Sequence, residues 1–107
     1  MKAMSNLKVL VAKFDQVDTD PEFNFRETLF IENGRFRMVT YAGCPLVHWP
    51  PTDRDIIIFD DGTEYFDDIE IAKDWFYERF NEKMSGMLLY TIKKTIKKQA
   101  LEQTIEI

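Results

Sequence analysis

The sequence predicts an α+β fold: an antiparallel sheet of about five strands, made of one strand and two hairpins, followed by two C-terminal helices packed on one face. Three observations point there. Asn33-Gly34 separates two segments rich in alternating apolar residues, and Asp61-Gly62 interrupts a second stretch of the same kind. From residue 67 onward the apolar period changes from two to about 3.6. Strands grouped before helices exclude the alternating order that builds a parallel α/β sheet.

"LKVLVAKF" (7–14) is apolar on both alternating faces, as an interior strand is, and "DQVDTDPE" (15–22) reads as a polar loop. "FRETLFIENGRFRMVTY" (25–41) is a hairpin, because Asn-Gly supplies the positive φ angles of a type I′ turn. The turn sets the register: Glu32 faces Arg35, Ile31 faces Phe36, Phe30 faces Arg37, Leu29 faces Met38, and Thr28 faces Val39. Phe25, Leu29, Ile31, Phe36 and Met38 then form a core face. Arg26, Thr28, Phe30, Glu32, Arg35, Arg37, Val39 and Tyr41 form a wet one, with an ion pair and a Phe30–Arg37 cation–π contact.

"DIIIFDDGTEYF" (55–66) reads as a second hairpin turning on Asp61-Gly62. A helix follows, with Asp67 as N-cap, Glu70 closing a capping box, Phe66 and Ile71 as the staple, and an end near Met84 at Ser85-Gly86. A second helix, Met87 to Leu101, buries Leu88, Leu89, Ile92, Ile96 and Ala100. "EQTIEI" fits a fraying helix or a short strand.

A chain of 107 residues suits one domain over 1–107, and 45% apolar and 14% aromatic residues suffice for a core. The net charge of −5 argues against generic binding to nucleic acid or anionic membranes. No apolar run reaches the ~18 residues of a membrane span. One cysteine allows no intramolecular disulfide. A cytoplasmic location is the expectation. Ten Ile and nine Lys against seven Leu and five Ala suggest an AT-rich genome, such as a low-GC bacterium or its phage.

Chemical motifs fail on spacing or number. Cys44 and His48 lie in "YAGCPLVHWPPTDRD" (41–55), but no further Cys or His exists to complete a zinc site, and Pro45 stiffens the segment between them. The segment reads as a structural join, and a Cys44/His48 enzyme or metal site is the alternative. "IIIFDDGT" (56–63) imitates the aspartate-nucleophile motif of haloacid-dehalogenase-type phosphatases, Asp-x-Asp-Gly-Thr, but lacks the residue between the two acids. It also imitates a Walker B strand, with no P-loop to accompany it. Asp15, Asp18 and Asp20 lack the glycine and the twelfth-position glutamate of an EF-hand loop.

Charge distribution is the remaining signal. Residues 51–80 carry ten acids and three bases, and residues 81–107 carry three acids and five bases. The first helix places Glu70, Asp74, Glu78, Asn81 and Glu82 on one arc, with Lys73 and Arg79 on the apolar flank. Acids four apart rise ~6 Å, close to the roughly 6–7 Å between successive phosphates of a nucleic-acid strand. Asp60, Asp61, Glu64, Asp67 and Asp68 continue the charge, and Trp75 on the rim is a candidate contact anchor. The expected binding residues are Asp60, Asp61, Glu64, Asp68, Glu70, Asp74, Trp75, Glu78 and Glu82. The expected function is a small, acidic, non-catalytic protein that blocks a protein partner with a basic surface: a nucleic-acid-handling enzyme, or a toxin countered by an immunity-type protein. It needs no cofactor or metal, and a homodimer is compatible with it. The alternative is nucleic-acid binding through Tyr90, Lys93, Lys94, Lys97 and Lys98 of the second helix.

Overall fold

The computed structural model describes residues 8–17, 20, 24–42 and 60–105. Four strands, β1 (Lys8–Gln16), β2 (Phe25–Glu32), β3 (Arg35–Ala42) and β4 (Asp60–Phe66), precede two helices, α1 (Ile69–Phe80) and α2 (Gly86–Ile105). The strands pair antiparallel in the order β1-β2-β3-β4. The fold is therefore α+β, with four strands among the described residues where about five are expected. The join at Cys44, His48 and Trp49, and residues 55–59, lie outside the described set.

The central hairpin forms in the expected register, from Glu32↔Arg35 to Thr28↔Val39. Asn33 and Gly34 have φ of 55° and 78°, the two positive angles of a type I′ turn. β1 runs two residues further than the pattern indicates, because Asp15 pairs with Arg26 across the β1–β2 ladder at 2.6 Å.

Asp61-Gly62 does not turn the chain. Both residues lie inside β4, where Thr40 faces Gly62 and Tyr41 faces Asp60, so Asp61 is the extra residue of a β-bulge. Gly62 takes φ 146°, which L side chains rarely adopt. A glycine that permits a positive φ serves a bulge as well as a turn, so the same dipeptide fits both.

The helix starts one residue later than expected. Asp68, not Asp67, is the N-cap, and its carboxylate accepts from the Glu70 amide at 2.9 Å. Asp67 pairs instead with Arg35 at 2.8 Å. Neither the Asp67–Glu70 capping box nor the Phe66–Ile71 staple forms as expected: Phe66 stacks on Phe36, and Ile71 is half exposed. α1 ends before Met84, because Asn81 takes a left-handed conformation and donates its amide to the Tyr77 carbonyl. Ser85-Gly86 then begins α2 rather than ending α1: the Ser85 hydroxyl accepts from the Leu88 amide at 3.1 Å. α2 continues past Leu101 to Ile105.

Leu29, Ile31, Phe36 and Met38 of the sheet pack with Ala72, Trp75, Met84 and Ile92 of the helical part, so both helices cover one sheet face. Leu88, Leu89 and Ile96 pack against this core as expected, whereas Ala100 is exposed and Gln99 is buried in its place. Gln99 accepts from the Gly34 amide (2.8 Å) and donates to the Ile31 carbonyl (3.2 Å), fastening α2 to the hairpin turn. The opposite sheet face is not uniformly wet. Arg26 and Tyr41 are buried there. Among the described residues its cation–π contacts are Lys8 over Phe30 and both Arg35 and Arg37 over Tyr65, not Phe30–Arg37, and Glu32 pairs diagonally with Arg37. Strand twist favours such diagonal neighbours.

Candidate protein-binding surface

α1 has a strongly divided circumference. With about 100° per residue, Ala72, Trp75, Phe76 and Arg79 fall on the arc that meets the sheet. Glu70, Asp74, Tyr77 and Glu78 fall on the opposite arc and are exposed.

The inward arc holds the one charged group of α1 that is turned towards the core. Arg79 makes a two-pronged ion pair with Glu27 of β2, Nε to Oε1 and Nη2 to Oε2, and Trp75 Nε1 donates to the same Oε1 at 3.2 Å. Phe14 and Phe25 lie 6.0 and 5.8 Å from the guanidinium. The hydrogen bond to Glu27 pushes the Arg79 pKa up, against the opposing effect of burial. Glu27 shares a strand face with Leu29 and Ile31, where two-residue alternation puts apolar groups. A carboxylate there and an arginine on the apolar flank of α1 oblige each other to meet, because either left alone would be a buried unpaired charge. The sequence signal for each end is a charge at an apolar position, which does not by itself name its partner.

Trp75 is not a rim anchor. It is 8% exposed, sits in the core and meets Phe80 edge to face at 5.9 Å. Its polar edge is occupied by Glu27, so the indole is unavailable to a partner. Asp68 belongs to the helix cap rather than to a free acidic surface. Asp60 and Asp61 lie in the β4 backbone at the bulge, and Glu64 is exposed on the same strand.

What the structure brings together is Glu70, Asp74 and Glu78 along α1, with Glu82 just beyond the left-handed Asn81. All four are exposed. Lys73 is nearer to them than its position on the apolar flank implies, since it pairs with Glu70 at 3.3 Å. Asp74, Glu78 and Glu82 have no ion-pair partner among the described residues. Beside this row runs a groove of about 400 Å³ whose walls include Asp74, Tyr77, Lys83, Met84 and Leu89. The row attracts cations, and the groove offers an apolar floor next to it.

α2 carries the opposite charge. Lys93, Lys94, Lys97 and Lys98 are exposed, and Tyr90, Lys93, Lys94 and Lys97 wall a shallower groove of about 280 Å³. Among the described residues no cluster of three Asp, Glu, Cys or His is placed to hold a metal ion, and no helix is long and apolar enough to cross a membrane. Cys44 and His48 lie outside those residues. Compared with models of protein families, with curated proteins and with solved structures, the chain finds no match in any of the three.

Proposed function

We propose that the chain is a non-catalytic binding protein that docks the acidic outer face of α1 on the basic surface of a protein partner. One observation carries this reading: Glu70, Asp74 and Glu78 line the outward arc of α1, while the arginine of the same helix is turned inward to Glu27. The helix thus directs its anionic groups to solvent and withholds its strongest cation. Acids that rise ~6 Å per step along a rigid helix present the charge spacing that a protein built to hold a nucleic-acid strand is shaped to accept. A nucleic-acid-handling enzyme or a basic toxin offers such a surface. The chain would act as its inhibitor or immunity-type protein, in a phage or low-GC bacterial setting.

The test is affinity capture with two baits, the native chain and the variant Glu70→Gln, Asp74→Asn, Glu78→Gln, Glu82→Gln. Because exposed charges are screened beyond ~8 Å at physiological ionic strength, a partner held by this face elutes as salt rises and is missing from the variant. Its association rate with the native chain falls steeply with salt. A partner retained by the variant with an unchanged salt slope refutes the reading.

A further inference from the structure

The outer stripe of α2 is the feature that the reading above does not absorb. With about 100° per residue, Met87, Tyr90, Lys94, Lys97, Lys98 and Leu101 share an arc of roughly 100° centred opposite the buried Ile92. Met87, Tyr90 and Leu101 are 80%, 66% and 59% exposed. Spaced at three, four, three and four residues through Met87, Tyr90, Lys94, Lys97 and Leu101, the stripe follows the seam of a helix that receives another helix. The four lysines make no ion pair among the described residues.

α1 presents the complement. Glu70, Asp74, Tyr77 and Glu78 are centred opposite the buried Ala72, and Ile71 and Tyr77 are 50% and 52% exposed. The acidic stripe spans ~12 Å from Glu70 to Glu78 and the basic one ~21 Å from Met87 to Leu101, so the first fits within the length of the second. Both mix charge with apolar groups, and their charges are opposite. Packing α2 on a second α2 would set lysines against lysines, and packing α1 on α1 would set acids against acids. Like charges opposed in this way are destabilising. One pairing satisfies both faces.

We propose that the chain associates with itself head to tail, the acidic α1 face of one copy receiving the basic, apolar α2 stripe of the next. This rests on the reading that the outer face of α1 is a working surface, and names a second copy as an occupant of it. The contact is heterologous: a pair leaves the basic face of one copy and the acidic face of the other free, so association continues beyond a dimer. One helix face on another covers less than the ~1,200 Å² of a standard interface, so the contact is weak and depends on concentration and salt. A nucleic-acid strand is the competing occupant of the lysines. The net charge of −5 and the acidic α1 on the same body disfavour it.

Sedimentation velocity over a hundredfold range of concentration tests the proposal without any variant. The weight-average mass should climb past twice the monomer mass at low salt and fall to the monomer near ~1 M salt, where the Debye length is only ~3 Å. Two variants then identify the faces: the four-fold acid-neutralised chain above, and Lys93→Gln, Lys94→Gln, Lys97→Gln, Lys98→Gln. Each alone should remain monomeric with native circular dichroism. Their equimolar mixture should form a complex that stops at a dimer, because one supplies only the basic face and the other only the acidic face. A native chain that stays monomeric throughout overturns the proposal, as does a dimer that survives in both variants or a mixture that does not associate. A single-stranded oligonucleotide bound by a monomeric native chain and lost with the lysines would assign the stripe to nucleic acid instead. If the native chain is monomeric yet its captured partner is lost by the acid-neutralised variant, self-association fails while the acidic-face reading stands. If self-association persists in the acid-neutralised variant, the head-to-tail contact fails, and the capture experiment alone decides the acidic-face reading.

Discussion

Glu27→Gln is the most informative single change, because it removes one charge from a junction that three side chains share. The Glu27 side chain is 14% exposed and that of Arg79 33%. Removing one partner of a fully buried ion pair costs ~3–5 kcal/mol, and a fully exposed pair is worth about 0–1 kcal/mol. This pair lies between those limits. Water reaches one third of Arg79, and glutamine keeps an acceptor oxygen for Trp75 or Arg79. The expected loss is therefore about 2 kcal/mol, between the exposed and the buried limits. With an unfolding entropy of ~2.1 cal/mol/K per residue, a chain of this length should lose about 9 °C in Tm. Urea unfolding of the native chain, Glu27→Gln, Arg79→Gln and the double variant measures both the loss and the coupling. The coupling should be at least 1 kcal/mol, since the double variant leaves no unpaired charge. If Glu27→Gln lies within about 0.5 kcal/mol of native, or the double-mutant cycle shows no coupling, the junction does not hold α1 to the sheet. The pH dependence has a definite sign. Glu27 raises the Arg79 pKa, so, for as long as Glu27 is ionised, that contribution is complete below the ordinary arginine value and is lost as pH rises through the higher folded value. The effect of Arg79→Gln attributable to arginine titration should therefore be flat across neutral pH.

Gln99→Leu strips the Gly34 amide and the Ile31 carbonyl of their side-chain partner and should cost about 2 kcal/mol, with hydrogen exchange accelerated more at Gly34 of the turn than in β2 and β3; unchanged exchange at Gly34 would show that the clamp does not hold the turn. Asp68→Ala should cost ~1 kcal/mol by removing the helix cap, whereas Asp67→Ala, which loses only an exposed ion pair, should cost under about 0.5 kcal/mol; the reverse order in thermal melts would return the cap to Asp67. Gly62→Ala should destabilise by ~1–2 kcal/mol, because alanine is strained at φ 146° even though its methyl meets nothing within 4 Å. A neutral or stabilising result in chemical unfolding would remove the bulge's need for glycine.

The parts of the fold legible in the sequence are those set by neighbours. Asn33-Gly34 fixes a turn by its own dihedral angles, and the turn fixes a register, so the central hairpin could be paired residue by residue. The inner face of α2 around Ile92 follows from spacing alone, and so does the outward row of Glu70, Asp74 and Glu78. What sequence spacing misplaces depends on distant partners. Asp61-Gly62 announces a positive φ without saying whether the chain reverses or only bulges, and β3 decides that by continuing to pair beyond it. Trp75 sits at the edge of a helical wheel, and Glu27, 48 residues away, draws its indole nitrogen inward. Gln99 occupies the buried arc of Ile92 and Ile96, and its acceptance there depends on a turn 65 residues earlier. A polar residue at an apolar position is the sequence signal for such links, though it identifies one end of each and not the other.

The Gln99 clamp also sets an order of events during synthesis. The hairpin closes through local contacts, which form on a microsecond scale. Its turn, however, is joined to a residue 65 positions downstream. At ~5–20 residues per second, a ribosome takes roughly 3–13 s to proceed from Gly34 to Gln99. Through that interval the nascent sheet holds its register by the Asn-Gly turn and its strand ladders without the Gln99 clamp, with the apolar face of Leu29, Ile31, Phe36 and Met38 awaiting the helices that cover it. A chaperone that engages apolar nascent segments would meet this face during those seconds and lose it once α2 docks. Arresting translation shortly before Gln99 emerges should therefore trap the chain with its sheet paired and its helical layer unfastened.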